Sequence, residues 1–369
     1  MINSQNQTGG DSSTNIQAQN MVVHVGIDEK RAREIYQEMN LQLRSDYSQE
    51  ALNVANSRVI EFESRLMPKM AQVEGALEAF ADPSFQLLLV EAQKTAASTE
   101  RPADYDLLSE LLVHRFQKGN NRISRAGISL AVEIVDKVSD EALLGLTLIH
   151  AVNTFMPTSG DIHEGLNVLN DLFGKLFYGE LPIGHDWLDH LDILTAIRLN
   201  QFGSLKKIKQ YYPESLPGYV DVGIKKDSDD YDKAVEILKK NALPINILVE
   251  HALNNNFLRL SIRSINSIDE VTLTNIHIGN DGNLIHVQSK LSEEQKRAIN
   301  SIYELYVIDD NIRQNNISIL MAEWDKRPSL QTLGEWWDNI VSGCTVTSVG
   351  KVLAHSNAQR CDKNLPPLD

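Results

Sequence analysis

The best candidate for chemistry is the run His185-Asp186-Trp187-Leu188-Asp189-His190. On a helix, His185 and Asp189 share one face and Asp186 and His190 the next, because residues four apart are surface neighbours. An imidazole and a carboxylate at that spacing suit a divalent ion or proton transfer. The same spacing is frequent on solvated helices, and acidic residues favour a helix start through its dipole in any case. His185, Asp189 and His190 are therefore the candidates for a metal or a non-motif enzyme site, while no resident metal or other cofactor is expected.

Two further groups invite a chemical reading. Asp227, Asp229, Asp230 and Asp232 are dense enough for calcium, but the stretch lacks the Gly and Glu that an EF-hand loop places at its sixth and twelfth positions. It reads as a solvated loop. Trp324, Trp336 and Trp337 offer stacking surfaces, yet aromatics at helical spacing are usually core. No G-x-x-x-x-G-K-[ST] loop, G-x-S-x-G elbow, paired-Cys zinc pattern or H-E-x-x-H run occurs. The expectation is a non-enzymatic protein.

Helices must position these residues. After a polar tail over residues 1–13, residues 14–25 alternate Ile16, Ala18 and Val22 with polar neighbours and finish Val22-Val23-His24-Val25 before Gly26. That reads as a strand or hairpin. Isolated two-stranded structure is marginal in water and no partner strand follows in sequence, so pairing with other copies of the chain is the expected outcome. Ile16, Ala18, Val22, Val23 and Val25 are the expected oligomerisation residues.

An apolar stripe then runs through Met39, Leu43, Tyr47, Ala51, Val54, Phe62, Leu66, Met70, Val73, Leu77 and Phe80, mostly at steps of three and four. Pro68 is expected to kink or split this helix. Further helices are expected from Asp82-Pro83 to about Ala97 and over 104–117, 123–138, 139–155, 162–177, 185–200, 231–240, 311–324 and 330–341. Ser139 before Asp140 and Glu141 marks one start, and the Ser292/Gln295 capping box another. Residues 271–278 and 283–288 flank a Gly-Asn-Asp-Gly turn and form a probable hairpin.

The C-terminal stretch 345–359 reads as a strand, a Thr-x-x-Gly turn and a last helix, an order common in winged-helix-like regions. The fold class expected is mainly α: a helical bundle with a short N-terminal β assembly segment and a small C-terminal α+β, winged-helix-like region. The expected divisions are 1–27, 28–100, 101–255 and 256–369.

Composition narrows the partners. A formal net charge of −15 repels phosphate backbones. Acidic residues also outnumber basic ones from Lys290 onward, so a protein-binding region fits the C-terminus better than a DNA-reading transcriptional regulator. The longest apolar stretch, residues 142–152, is too short to span a bilayer. With only Cys344 and Cys361, and no secretory leader at the start, reduced thiols in a cytoplasm are expected.

The run Gly9-Gly10-Asp11-Ser12-Ser13-Thr14-Asn15-Ile16-Gln17-Ala18 resembles the G-G-D-x-S-T-N-I-Q-A opening of a bacterial family. The likeness extends through Ala51, Ala55 and Arg58, through Leu111 to Arg115, and to the ending Thr347-Ser348-Val349-Gly350-Lys351. The chain departs from that ending at His355-Ser356-Asn357, where a more apolar helix is expected. Similar openings precede modules associated with defence against phage. The resemblance implies a bacterial cytoplasmic protein, one component of an antiphage system with a partner encoded nearby, and it carries no catalytic residues to transfer.

Overall fold

The computed structural model describes residues 29–118, 121–200, 203–278 and 284–368. The segment 14–25, with Ile16, Ala18, Val22, Val23 and Val25, lies outside the described residues. The described residues are mainly α-helical, as the sequence implies. In chain order the helices begin with α1 (Glu29–Gln72), α2 (Pro83–Ser98), α3 (Pro102–Gln117), α4 (Arg122–Ile134), α5 (Asp140–Thr154), α6 (Ile162–Leu176) and α7 (Asp186–Ile193). Strand β1 (Ile197–Asn200), α8 (Ile208–Ser215), α9 (Pro217–Val220), β2 (Ile224–Lys225), α10 (Asp229–Lys240), β3 (Leu248–Glu250) and β4 (Phe257–Leu260) follow. The chain ends with β5 (Thr272–Ile278), β6 (Leu284–Lys290), α11 (Glu293–Tyr303), α12 (Asp310–Asp325), α13 (Pro328–Asp338), β7 (Gly343–Val346) and α14 (Ser348–Cys361).

Contacts divide the chain into two units, Met1–Ser57 and Arg58–Asp369. The described part of the first is the N-terminal portion of α1, which exposes Tyr36, Met39, Leu43, Tyr47 and Val54. In the second, Phe62, Leu66 and Met70 are buried in one continuous core with α2–α9 and α12–α14. Pro68 does not split α1, which runs on to Gln72. Only one turn follows the proline, so little helix is lost with its missing N–H.

Local signals set most helix starts. Ser139 Oγ accepts from the Ala142 N–H, Asp82 Oδ1 from the Ser84 N–H ahead of Pro83, and Ser292 with Gln295 forms the reciprocal capping box. The hairpin β5–β6 pairs Thr272 with Lys290 through Ile278 with Leu284.

A smaller core joins Ile224, Leu260, Ala234, Leu238, Ile299 and Ile302 from the β2–β4–β3 sheet, α10 and α11. The expected boundary at 255/256 therefore cuts between hydrogen-bonded neighbours, since β3 and β4 pair antiparallel with Leu248 opposite Leu260. Nor does 100/101 separate cores, because α2 and α3 pack together with α4 in the main one.

Residues 197–200 are a correction to the helix expected over 185–200. Helix α7 stops at Ile193, with Thr195 in the left-handed region at φ 59°. The Ala196 N–H bonds to the Leu191 carbonyl at 2.9 Å and the Thr195 N–H to the Asp192 carbonyl at 2.9 Å, a Schellman ending with Thr where Gly is usual. The freed strand β1 then pairs antiparallel with β7, Ile197 opposite Val346.

Candidate functional site

The residues singled out by spacing are dispersed. His185 Nδ1 meets Asp189 Oδ2 at 2.9 Å, but both side chains are substantially exposed. His190 points elsewhere: its Nε2 accepts the Ser139 N–H at 3.2 Å at the start of α5. Among the described residues no group of three or more His, Cys, Asp or Glu side chains is placed to hold a metal ion. Asp229, Asp230 and Asp232 form the first turn of α10 behind the Ser228 cap, where carboxylates favour the helix dipole. Trp324, Trp336 and Trp337 are buried, and their indole N–H groups donate to the carbonyls of Leu330, Pro182 and Lys206.

The chemistry-bearing side chains that do converge belong to α14. Thr347 caps it, accepting the Gly350 N–H at 3.2 Å, and it packs against α3, α4 and α5. It is buried on nearly every side, so an apolar helix would be ordinary here. Instead His355, Ser356 and Asn357 lie at its centre, each at most 1% exposed. Unpaired polar groups at such depth are costly, so their partners matter.

Those partners form two hydrogen-bonded groups, one around His114, His355 and His150 and one around Asn357. His114 Nε2 lies 2.6 Å from Gln359 Oε1, an atom that can only accept, so Nε2 carries the proton and Nδ1 accepts from the Ser356 hydroxyl at 3.0 Å. His355 Nε2 donates to the Pro366 carbonyl at 2.9 Å, leaving its Nδ1 to accept from His150 Nε2 at 3.1 Å. His150 Nδ1 in turn accepts from the Thr154 hydroxyl at 3.3 Å. Asn357 Nδ2 donates to Thr147 Oγ1 at 2.8 Å and to the Tyr178 hydroxyl oxygen at 3.0 Å, while its Oδ1 accepts from Arg360 Nε at 2.9 Å.

Electrostatics agrees with neutral imidazoles. Burial lowers the pKa of His114 and, with His355 and Lys351 nearby, takes His150 to about 4. A serine hydroxyl on an imidazole has the outline of an activated nucleophile. Ser356 is fully buried, however, and a substrate atom cannot approach its oxygen without opening α14. The arrangement therefore serves to fix the register of α14 and to orient the side chains at its C-terminal end.

A protein-family model described only as ":-like" matches residues 26–366. The chain belongs to that family. No curated protein and no solved structure matches it. The matched span takes in the whole of α14 and its partners, and also α1 with its exposed stripe.

Sequence reasoning registered His355-Ser356-Asn357 only as a departure from an apolar ending. Of their partners, His114 falls in the Leu111–Arg115 run while Thr147, His150 and Tyr178 lie in no motif, and all four come together only when α3, α5 and the segment after α6 close around α14. Polar residues inside a helix of otherwise apolar composition were the one available signal.

Proposed function

We propose that this protein is a non-enzymatic homo-oligomeric sensor or adaptor, working in a bacterial antiphage system. The observation that carries the oligomeric part is the solvent exposure of Tyr36 at 70%, Met39 at 59%, Leu43 at 47%, Tyr47 at 65% and Val54 at 44%. Their steps of three, four, four and seven place them along one stripe of the first unit's helix. Contiguous exposed aromatic and aliphatic side chains mark interaction surfaces. The occupant that fits is a second copy of the same helix. The sequence of the preceding segment 14–25 carries the alternation expected of a strand paired with other copies, so one assembly would answer to both. Display of several copies raises avidity for a repeated target without new contacts. The antiphage setting is supported by the resemblance carried by residues 9–18.

Light scattering on the full chain tests the assembly. The wild type is expected at a multiple of 41.4 kDa, and the double variant Leu43→Glu/Tyr47→Glu at a lower multiple with its thermal melting unchanged. A monomeric wild type, or a double variant of undiminished mass, defeats the reading. Phage plating on cells carrying the gene and its neighbours tests the setting, and equal plaque numbers without the gene would remove it.

A further inference from the structure

The Asn357 group of α14 borders an open cavity of about 390 Å³ bounded by α3, α5, the segment after α6 and α14. One wall is Arg360. Its Nε is tied to Asn357, and its guanidinium lies 5.0 Å from the centroid of the Tyr178 ring. Among the described residues its two terminal nitrogens have neither a hydrogen bond nor an ion pair. Because the Tyr178 oxygen accepts from Asn357, the phenol proton remains free to donate, and burial holds that proton by raising the pKa to about 12. A fully buried amide thus fixes a guanidinium fork and a hydroxyl donor on the same wall, a constellation suited to a carboxylate.

The remaining walls differ in character. Asp104 and Asp140 also border the cavity, but Arg101 engages them at 3.0 and 2.8 Å. Glu141 and Glu180 form no ion pair with the described residues. Leu107, Leu143 and Leu144 line the floor, each at most 4% exposed, and Ala103 lies exposed at the rim. A simple anion would be attracted by Arg360 and repelled by the two glutamates, and a simple cation the reverse. A molecule carrying both charges satisfies both.

We propose that this cavity binds a small zwitterion of the amino-acid class with an apolar side chain. Its carboxylate sits on Arg360 and Tyr178, its ammonium faces Glu141 and Glu180, and its side chain lies over Ala103 and the leucine floor. A volume of 390 Å³ is within the usual range for small-molecule sites. Asn357 is a positioning residue here. The site lies wholly within Arg58–Asp369 and does not rest on the oligomeric reading.

Calorimetry on the full chain tests it with L-leucine as probe, leucinamide as the analogue without a carboxylate and 4-methylpentanoate as the analogue without an amine. Saturable leucine binding is expected, with each analogue at least tenfold weaker. Arg360→Gln is expected to weaken leucine tenfold or more and Glu141→Gln/Glu180→Gln severalfold, with unchanged circular dichroism and melting. Arg360→Lys should recover only part of the loss, since an ammonium lacks the fork. Absence of leucine binding at millimolar concentration, analogues binding as tightly as leucine, or full binding by Arg360→Gln would each overturn the proposal.

Discussion

Replacing Gly350 with alanine probes the crossing on which the position of α14 depends. An added Cβ would lie 2.0 Å from the Ala196 carbonyl oxygen, 2.9 Å from its carbon and 3.0 Å from Val346 Cγ1. The carbonyl cannot simply turn away, because it accepts both the Thr347 N–H and the Thr347 hydroxyl at 3.0 Å, and the adjacent Thr195 carbonyl lies 2.7 Å from the same hydroxyl. Optimal carbon contacts lie near 3.5–4.0 Å, so α14 must retreat by about 1 Å or more and loosen these bonds. Overpacking costs about 1–3 kcal/mol and each weakened hydrogen bond about 1 kcal/mol. Alanine's better helix propensity returns about 1 kcal/mol. The net expectation is a loss of about 3 kcal/mol.

Urea denaturation followed by tryptophan fluorescence measures this directly, since all four tryptophans fall in the second unit. With a slope near 3 kcal/mol/M the midpoint should fall by about 1 M at unchanged slope. Thr347→Ala, which removes the cap and leaves Gly350 in place, should cost about 1–2 kcal/mol. If Gly350→Ala changes stability by less than about 1 kcal/mol, the crossing is not tight and the account of how α14 is seated fails.

Other outcomes follow from the same geometry. Thr195→Gly should stabilise by about 1 kcal/mol, because the exposed Thr195 side chain contributes little while its φ of 59° favours glycine; a lowered urea midpoint would refute the Schellman assignment. Acid should destabilise the second unit: burial depresses His150 and His251 to about 4, below the ordinary 6.5, so between those values the unfolded chain binds more protons and stability falls as pH falls. Each histidine contributes about 1.4 kcal/mol per pH unit in that window and nothing above it. His150→Gln should flatten the decline between pH 6.5 and 5, and a wild-type midpoint equal at pH 7 and pH 5 would contradict the burial argument.

The features legible in the sequence are those whose causes lie within a few residues. Asp82-Pro83, Ser139 and the Ser292/Gln295 pair mark helix starts because a cap satisfies N–H groups only two or three positions away. The hairpin β5–β6 shows for the same reason, through alternation on both sides of the Gly279-Asn280-Asp281-Gly282 run in the sequence. Helix α7 misleads because its ending uses a threonine in a conformation that glycine normally takes, leaving no local stop signal before β1.

Cores are another matter. Nothing near residue 255 shows that Leu248 will face Leu260, or that α11 will join α10 while α12–α14 return to the larger core. The ligand-like spacing of His185, Asp189 and His190 is real on the helix surface, yet His190 is claimed by Ser139, some fifty residues earlier.

By itself the sequence determined the mainly α class, the capped helix starts, the hairpin and a formal net charge of −15. Only the tertiary structure decided that β1 and β7 pair, that Gly350 lies against Ala196, and that His355, Ser356 and Asn357 find partners on α3, α5 and the segment after α6. The physical reason is range. Propensity and capping act along the chain, whereas burial of a polar helix is tolerable only if distant residues arrive to complete its hydrogen bonds.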